Sequence, residues 1–382
     1  MRGYLLRKVE VQRRSIAWTK EQVTRLLEVR PEHRQLCAKL LERSDEAERD
    51  INQLEAIAKQ DNDVLNRGAR PLLHRVDWVI HILTCRFIPA LERQLDGDRW
   101  MRRALLAAVQ DSGMNWIGDL AIRLDGPHAS FPVIPGTPLL FGPANQATTL
   151  VGMPAFYHEL GHSLFEARDI NSVLRDTARG HFKNMANQAG PLSPANRSTR
   201  NSALRSASDY WSRPRLNELF GDVFAIYTCG PAYLATCIDL GLASKRNPYA
   251  VESDVHPPWG ARVRICYEAL HRSHRETKVV RLAMETWDEH AAGHQPGADF
   301  ELTCPQELVE PLVGRALTCI EELAPTCTRF VGDLNGSSEA SGDRAGSLAS
   351  ILNRGLSILI EEPERFNQFQ SEALSRIPIV AE

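Results

Sequence analysis

The sequence predicts a mainly α protein of the α+β class, with long helical extensions around a core that includes one small strand-bearing segment. Three observations predict it. Apolar residues recur at three- and four-residue spacing through most of the chain, the period of helices with one buried face. A single burst of helix breakers, residues 125–143, interrupts that pattern and carries short β-prone pieces. The length, 382 residues, suffices for a full hydrophobic core, as one large domain or two to three smaller ones.

Composition narrows the function classes. With 43% hydrophobic residues, 24% charged residues and a net charge of -3, nothing favours nucleic acid or an anionic membrane as the main partner. No run of about 18 apolar residues is present, so no bilayer span is expected. Arg7, Lys8, Arg13 and Arg14 make the start basic, but no signal-type apolar stretch follows, and Glu10 and Glu21 do not suit a transit peptide. The eight cysteines form no C-x-x-C pair, and Cys229, Cys237, Cys319 and Cys327 read as small helix residues. The expected home is a reducing cytoplasm.

The elements follow in order. Leu36, Leu40, Leu41, Ala47, Ile51, Leu54 and Ile57 recur at helical spacing within 1–66, where Pro31 is the sole proline. One or two long helices, a hairpin or short coiled coil, are expected. They serve either as an arm for a regulatory protein partner or as a layer packed on the same protein. Residues 71–110 read as further helices, most apolar from Val76 to Leu91. Phe131–Ile134 and Leu139–Phe141 suit extended segments. Prolines nearby suit a strand with a free edge, able to take a peptide by β-addition. An irregular covering loop is the equal alternative.

Residues 154 to about 168 form a helix. The basic, weakly patterned stretch 169–213 contains Gly190-Pro191 and reads as a lid, a surface for an acidic partner, or a solvated insertion. Pro214 and Gly230-Pro231 frame a helix of about four turns, and another continues to Leu242. A further helix opens at His256 and runs to about His271, and helices broken by a Gly/Ser-rich loop at 332–347 fill the remainder. Three regions result: 1–110, 111–272 and 273–382.

The chemistry centres on His158, Glu159 and His162, in the order H-E-x-x-H. On a helix, residues four apart share a face, so both imidazoles reach one metal ion while Glu159 stands beside it to accept a proton from water. A catalytic site needs one more protein ligand. Glu218 is the best candidate, with Asp222 one turn on to accept a hydrogen bond from the outer nitrogen of a ligating histidine. Gly161 and Gly221, one in each proposed metal helix, suggest that the two backbones approach closely. His290 and His294 share the four-residue spacing, but no Glu follows His290 and Gln295-Pro296-Gly297 ends the helix, so no metal is expected there. His271 and His274 are expected to be exposed. Trp211 and Trp259 suit core packing, or the lining of a substrate pocket.

Taken together, His158-Glu159-Leu160-Gly161-His162, then Asn217-Glu218-Leu219-Phe220-Gly221-Asp222, then His256-Pro257-Pro258 with Arg262 resemble the gluzincin metallopeptidases. The order is most like that of the HtpX and CAAX-prenyl-protease group. The resemblance covers roughly residues 130–270. It implies a zincin-like catalytic core and a zinc-dependent endopeptidase, with His158, His162 and Glu218 as Zn2+ ligands, Glu159 as general base and Asp222 supporting a ligand. By the same resemblance His256 and Arg262 lie near the site. For the oxyanion of the reaction, His256 is the first choice, followed by Arg262, Tyr157 and Tyr210. Members of that group are commonly membrane-embedded, a feature this sequence lacks, so only a protein or peptide substrate carries over. Activity that waits for a partner or signal fits the long extensions. The rival is a regulatory or interaction protein with a structural or dormant zinc site.

Overall fold

A computed structural model describes residues 2–60, 68–92, 96–114, 116–117, 121–123, 129–131, 139–141, 150–188, 193–244, 246–252, 255–273, 277–330 and 347–376. Most of the 125–143 breaker stretch lies outside the described residues. So do Ile134, Gly190-Pro191, His274 and the Gly/Ser-rich loop up to residue 346. The chain is mainly helical and forms two compact units: Met1–Arg102 with Trp116–Gly142, and Arg103–Asn115 with Pro143–Val380.

The first unit begins with a helical hairpin, α1 (Arg2–Val29) and α2 (Arg34–Lys59). Pro31 starts the 3-10 turn between them. Leu5, Val9, Gln12, Ile16, Thr19, Val23 and Leu26 are all buried and alternate four and three apart, the seam of a coiled coil. Cys37, Leu40, Ser44, Ala47, Ile51, Leu54 and Ala58 give α2 the matching stripe. Polar members of the seam find partners for their donors: Thr19 and Ser44 donate to the carbonyls of Ser15 and Leu40, and the Gln12 amide N–H donates to Asp77. Ion pairs of Arg13 with Glu55 at 2.7 Å and Lys20 with Glu48 at 2.5 Å hold the antiparallel register. Both helices pack on α3 (Arg70–Ile82), which runs through a π-helical turn into α4 (Ile88–Glu92). Then comes α5 (Asp96–Asp111).

Three short strands, β1 (Ala121–Arg123), β2 (Ala129–Phe131) and β3 (Leu139–Phe141), form a sheet in the order β1-β3-β2. β1 pairs parallel with β3, and β2 pairs antiparallel with it. The sheet belongs to the first unit, because Ala121 joins the core of Phe87, Ile88 and Leu91.

In the second unit, α6 (Pro154–Ala167) is buried at every position from Pro154 to Phe165. The stretch expected to be a weakly patterned insertion is helical: α7 (Ile170–Asn187) and α8 (Pro194–Tyr210). α7 buries Ile170, Leu174, Ala178 and Phe182, one per turn, a stripe diluted in the sequence by Asn, Ser and Arg. Ser193 caps α8 by accepting from the Asn196 N–H, which satisfies one free donor of the first turn. Next are α9 (Arg213–Cys229), α10 (Pro231–Ala243), α11 (Trp259–Ser273), α12 (Lys278–Ala291), α13 (Ala298–Thr303), α14 (Gln306–Leu323), α15 (Leu348–Glu361) and α16 (Phe366–Arg376).

The described helices after residue 273 belong to the second unit. α14 packs on α7, α9 and α11, and α15 packs on α9 and α10. Buried Asn353 of α15 bonds the backbone of Cys229 and Ala232, where α9 gives way to α10. Trp211 is fully buried and donates its indole N–H to the Thr303 carbonyl, so it is a core residue. All eight cysteines are free. Among the described residues no helix is long and apolar enough to cross a membrane.

Candidate metal centre

The site arises where α6 crosses α9. A Cβ built on Gly161 would stand 2.9 Å from the Gly221 Cα, and one on Gly221 would stand 2.8 Å from Nδ1 of His158. Any larger residue at either position would push the helices apart. Glycine inside a helix costs about 1 kcal/mol relative to alanine, and here it allows the imidazoles of α6 to reach the acids of α9. Gly221→Ala is therefore expected to displace His158 and to weaken binding of a metal ion at this site at least tenfold, a loss on the scale seen when the supports of a metal ligand are removed. Competition with a chromophoric chelator measures it; unchanged affinity would show that the close approach is not needed.

His158 and His162 lie one turn apart on α6, with ring centroids 4.5 Å apart and planes at 80°. Nε2 of His158 is 3.3 Å from one Glu218 oxygen, and Nε2 of His162 is 3.5 Å from the other. One donor atom from each of the three residues lies within 4.8 Å of the others. Ligands about 2 Å from a tetrahedral zinc stand roughly 3.3 Å apart. Two imidazole nitrogens and one carboxylate oxygen also make the donor set of a zinc site with an open position. The residues fit the ion. Among the described residues no other group of three His, Cys, Asp or Glu side chains converges in this way.

Behind the donors is a buried polar network. Asp222, fully buried, accepts from Nε of Arg262 at 2.9 Å on one oxygen and from Nη2 at 2.6 Å on the other. That second oxygen is 2.9 Å from Nδ1 of His158 and accepts from the Tyr233 hydroxyl at 2.5 Å. Burial opposes ionisation of Asp222, but the Arg262 charge and the His158 hydrogen bond outweigh it and hold the carboxyl at about 2. Burial likewise disfavours the charged forms of Glu218 and His158. Their mutual attraction takes Glu218 below the usual carboxylate range, and Asp222 with Glu218 raises His158 to about 10. The cluster thus calls for positive charge between its carboxylates.

Glu159 is 6% exposed, and its Oε2 is buried with no hydrogen-bond partner among the described residues. It stands 4.0 Å from Nε2 of His162. A buried carboxylate oxygen left uncommitted beside the donors is what a proton acceptor for a water at this site requires.

No family model, curated protein or solved structure matches the chain.

His256 lies on a bend before α11, which starts at Trp259 and not at His256. Its side chain is 49% exposed, and Nε2 is 3.6 Å from Glu218. Arg262, buried on α11, is committed to Asp222, with Nη2 3.9 Å from Glu218. Tyr157 is fully buried and donates its hydroxyl to Asp111, so it does not serve an oxyanion. Tyr210 packs beneath the Arg215 guanidinium and edge-on to Trp211. The His290 and His294 rings lie 5.8 Å apart, and among the described residues no third ligand converges with them.

Two residues of the network received no role from the sequence. Asn217 places Oδ1 3.0 Å from Nδ1 of His162, so each histidine has an oxygen behind its outer nitrogen. The signal was available: a second ligating histidine also needs an outer partner, and Asn217 adjoins Glu218. Tyr233 sits on α10, beyond the Gly230-Pro231 break, and no spacing rule points to it.

Proposed function

We propose that the chain is a zinc-dependent endopeptidase of gluzincin type that hydrolyses a protein or peptide substrate. The observation that supports this most is the pairing of three convergent donors, His158, His162 and Glu218, with the uncommitted oxygen of Glu159 beside them. Zinc held by these three side chains supplies Lewis acidity toward water and toward a peptide carbonyl. Glu159 accepts the proton of the attacking water and passes it to the departing amine. His256, at the exposed edge near Glu218, donates a hydrogen bond to the developing oxyanion. Asp222 and Asn217 hold the outer nitrogens of the histidines, and Arg262 balances the Asp222 charge.

The enzyme works in a reducing cytoplasm, where free cysteines persist; among the described residues no helix is long and apolar enough to cross a membrane. The hairpin of the first unit suits a regulatory partner that releases a latent activity. That hairpin also favours the rival reading, a regulatory protein with a dormant zinc site. Against the rival, a structural zinc site closes all four positions with protein ligands and has no use for Glu159.

Glu218→Ala is expected to bring zinc from one per chain to substoichiometric levels by elemental analysis; retained zinc removes Glu218 from the ligand set. The functional test compares protein termini in cells expressing the wild type and the Glu159→Gln variant. New termini confined to the wild type support the peptidase. Identical termini, with the natural partner present, favour the dormant site.

A further inference from the structure

We infer that Tyr233 is a positioning residue for the metal centre: it holds His158 in the tautomer that presents Nε2 to the ion. The inference rests on the zinc-site reading above. Tyr233 is 2% exposed, and its ring lies nearly parallel to the His158 imidazole, centroids 5.9 Å apart and planes at 13°. Its hydroxyl is 2.5 Å from Asp222 Oδ1 and 3.0 Å from His158 Nδ1.

The direction of each hydrogen bond follows from the donors available. Arg262 only donates. Its Nη2 lies 2.6 Å from Asp222 Oδ1 and 3.4 Å from the Tyr233 hydroxyl oxygen. The phenolic proton therefore goes to Asp222, and the phenolic oxygen is left as an acceptor. His158 Nδ1 then faces two acceptors, the Asp222 carboxylate and the Tyr233 oxygen, and must carry its proton. In the neutral, metal-binding form of the ring the lone pair is then on Nε2, the nitrogen 3.3 Å from Glu218. Asp222 alone provides one acceptor.

Tyr233→Phe keeps the ring and removes only the hydroxyl. In the full-length chain it is expected to weaken zinc binding about 10–100-fold in chelator competition and to alter the visible spectrum of the cobalt-substituted protein. A purely structural tyrosine would lower the thermal midpoint of the metal-free chain and leave both readouts unchanged. If the wild type binds zinc and Tyr233→Phe binds it equally well, the role of Tyr233 is overturned and the zinc site stands. If the wild type binds no zinc, both are overturned. Should the variant fail to fold, nitrogen-15 NMR of the zinc-bound wild type decides. A protected Nδ1–H of His158 close to the Tyr233 ring supports the inference, and a proton on Nε2 overturns it.

Discussion

Glu159→Gln is expected to slow peptide-bond cleavage by about 10²–10⁴-fold, the contribution of a positioned general base, with one zinc still bound per chain. Glutamine keeps the shape of the side chain and accepts no proton. Glu159 is not among the three converging donors, so its replacement spares the metal. Its Oε2 has no hydrogen-bond partner among the described residues, so the amide disturbs no existing bond at that atom. Single-turnover cleavage of a substrate identified from the protein termini, with zinc analysis of the same sample, gives both quantities. A variant that holds zinc and cleaves at the wild-type rate contradicts the assignment of Glu159 as the base.

Asp222→Ala is expected to destabilise the metal-free chain by about 3–5 kcal/mol, because breaking a buried ion pair leaves an uncompensated buried charge. Arg262 is 7% exposed and directs two donors at Asp222, and alanine removes their acceptor. Denaturant unfolding should show a lower midpoint at unchanged slope. A second replacement, Arg262→Met, should restore part of the loss, since an apolar side chain fits where an unpaired guanidinium does not.

The same pair sets an acid dependence. The Asp222 pKa is depressed from 3.8 to about 2 in the fold. Its stabilisation is therefore complete above 3.8 and disappears as pH falls through about 2. The stability gap between wild type and Asp222→Ala should narrow over that interval. A gap that stays constant down to pH 2 would show that the Asp222 carboxylate charge is not what stabilises this core.

How much of this was legible in the sequence depended on whether the physics was local. The hairpin was legible in the helical spacing of Leu36, Leu40, Ala47, Ile51 and Leu54, with Pro31 the sole proline before residue 66. His158, Glu159 and His162 were legible because helix geometry alone brings residues four apart together. Glu218 and Asp222 needed one further step: two histidines leave a third ligand wanting, and the E-x-x-x-D spacing on a second helix supplies it together with a supporting acid. Tyr233 was not legible: its role depends on α10 doubling back after Gly230, which no residue spacing encodes. α7 and α8 were hidden because their few buried residues are outnumbered by solvated ones. The packing partners of the helices after 273 and of the short sheet were not legible for a related reason. Periodicity shows that a face is buried without naming its partner, and Ala121 carries no mark of the N-terminal core it joins.

Anomalous diffraction at the zinc edge, from crystals of the zinc-loaded chain, tests the central claim most directly. The account expects a single strong peak bounded by His158, His162 and Glu218, with Glu159 alongside but not coordinating. A zinc ion bound elsewhere, or Glu218 turned away with no other protein oxygen in its place, would contradict it.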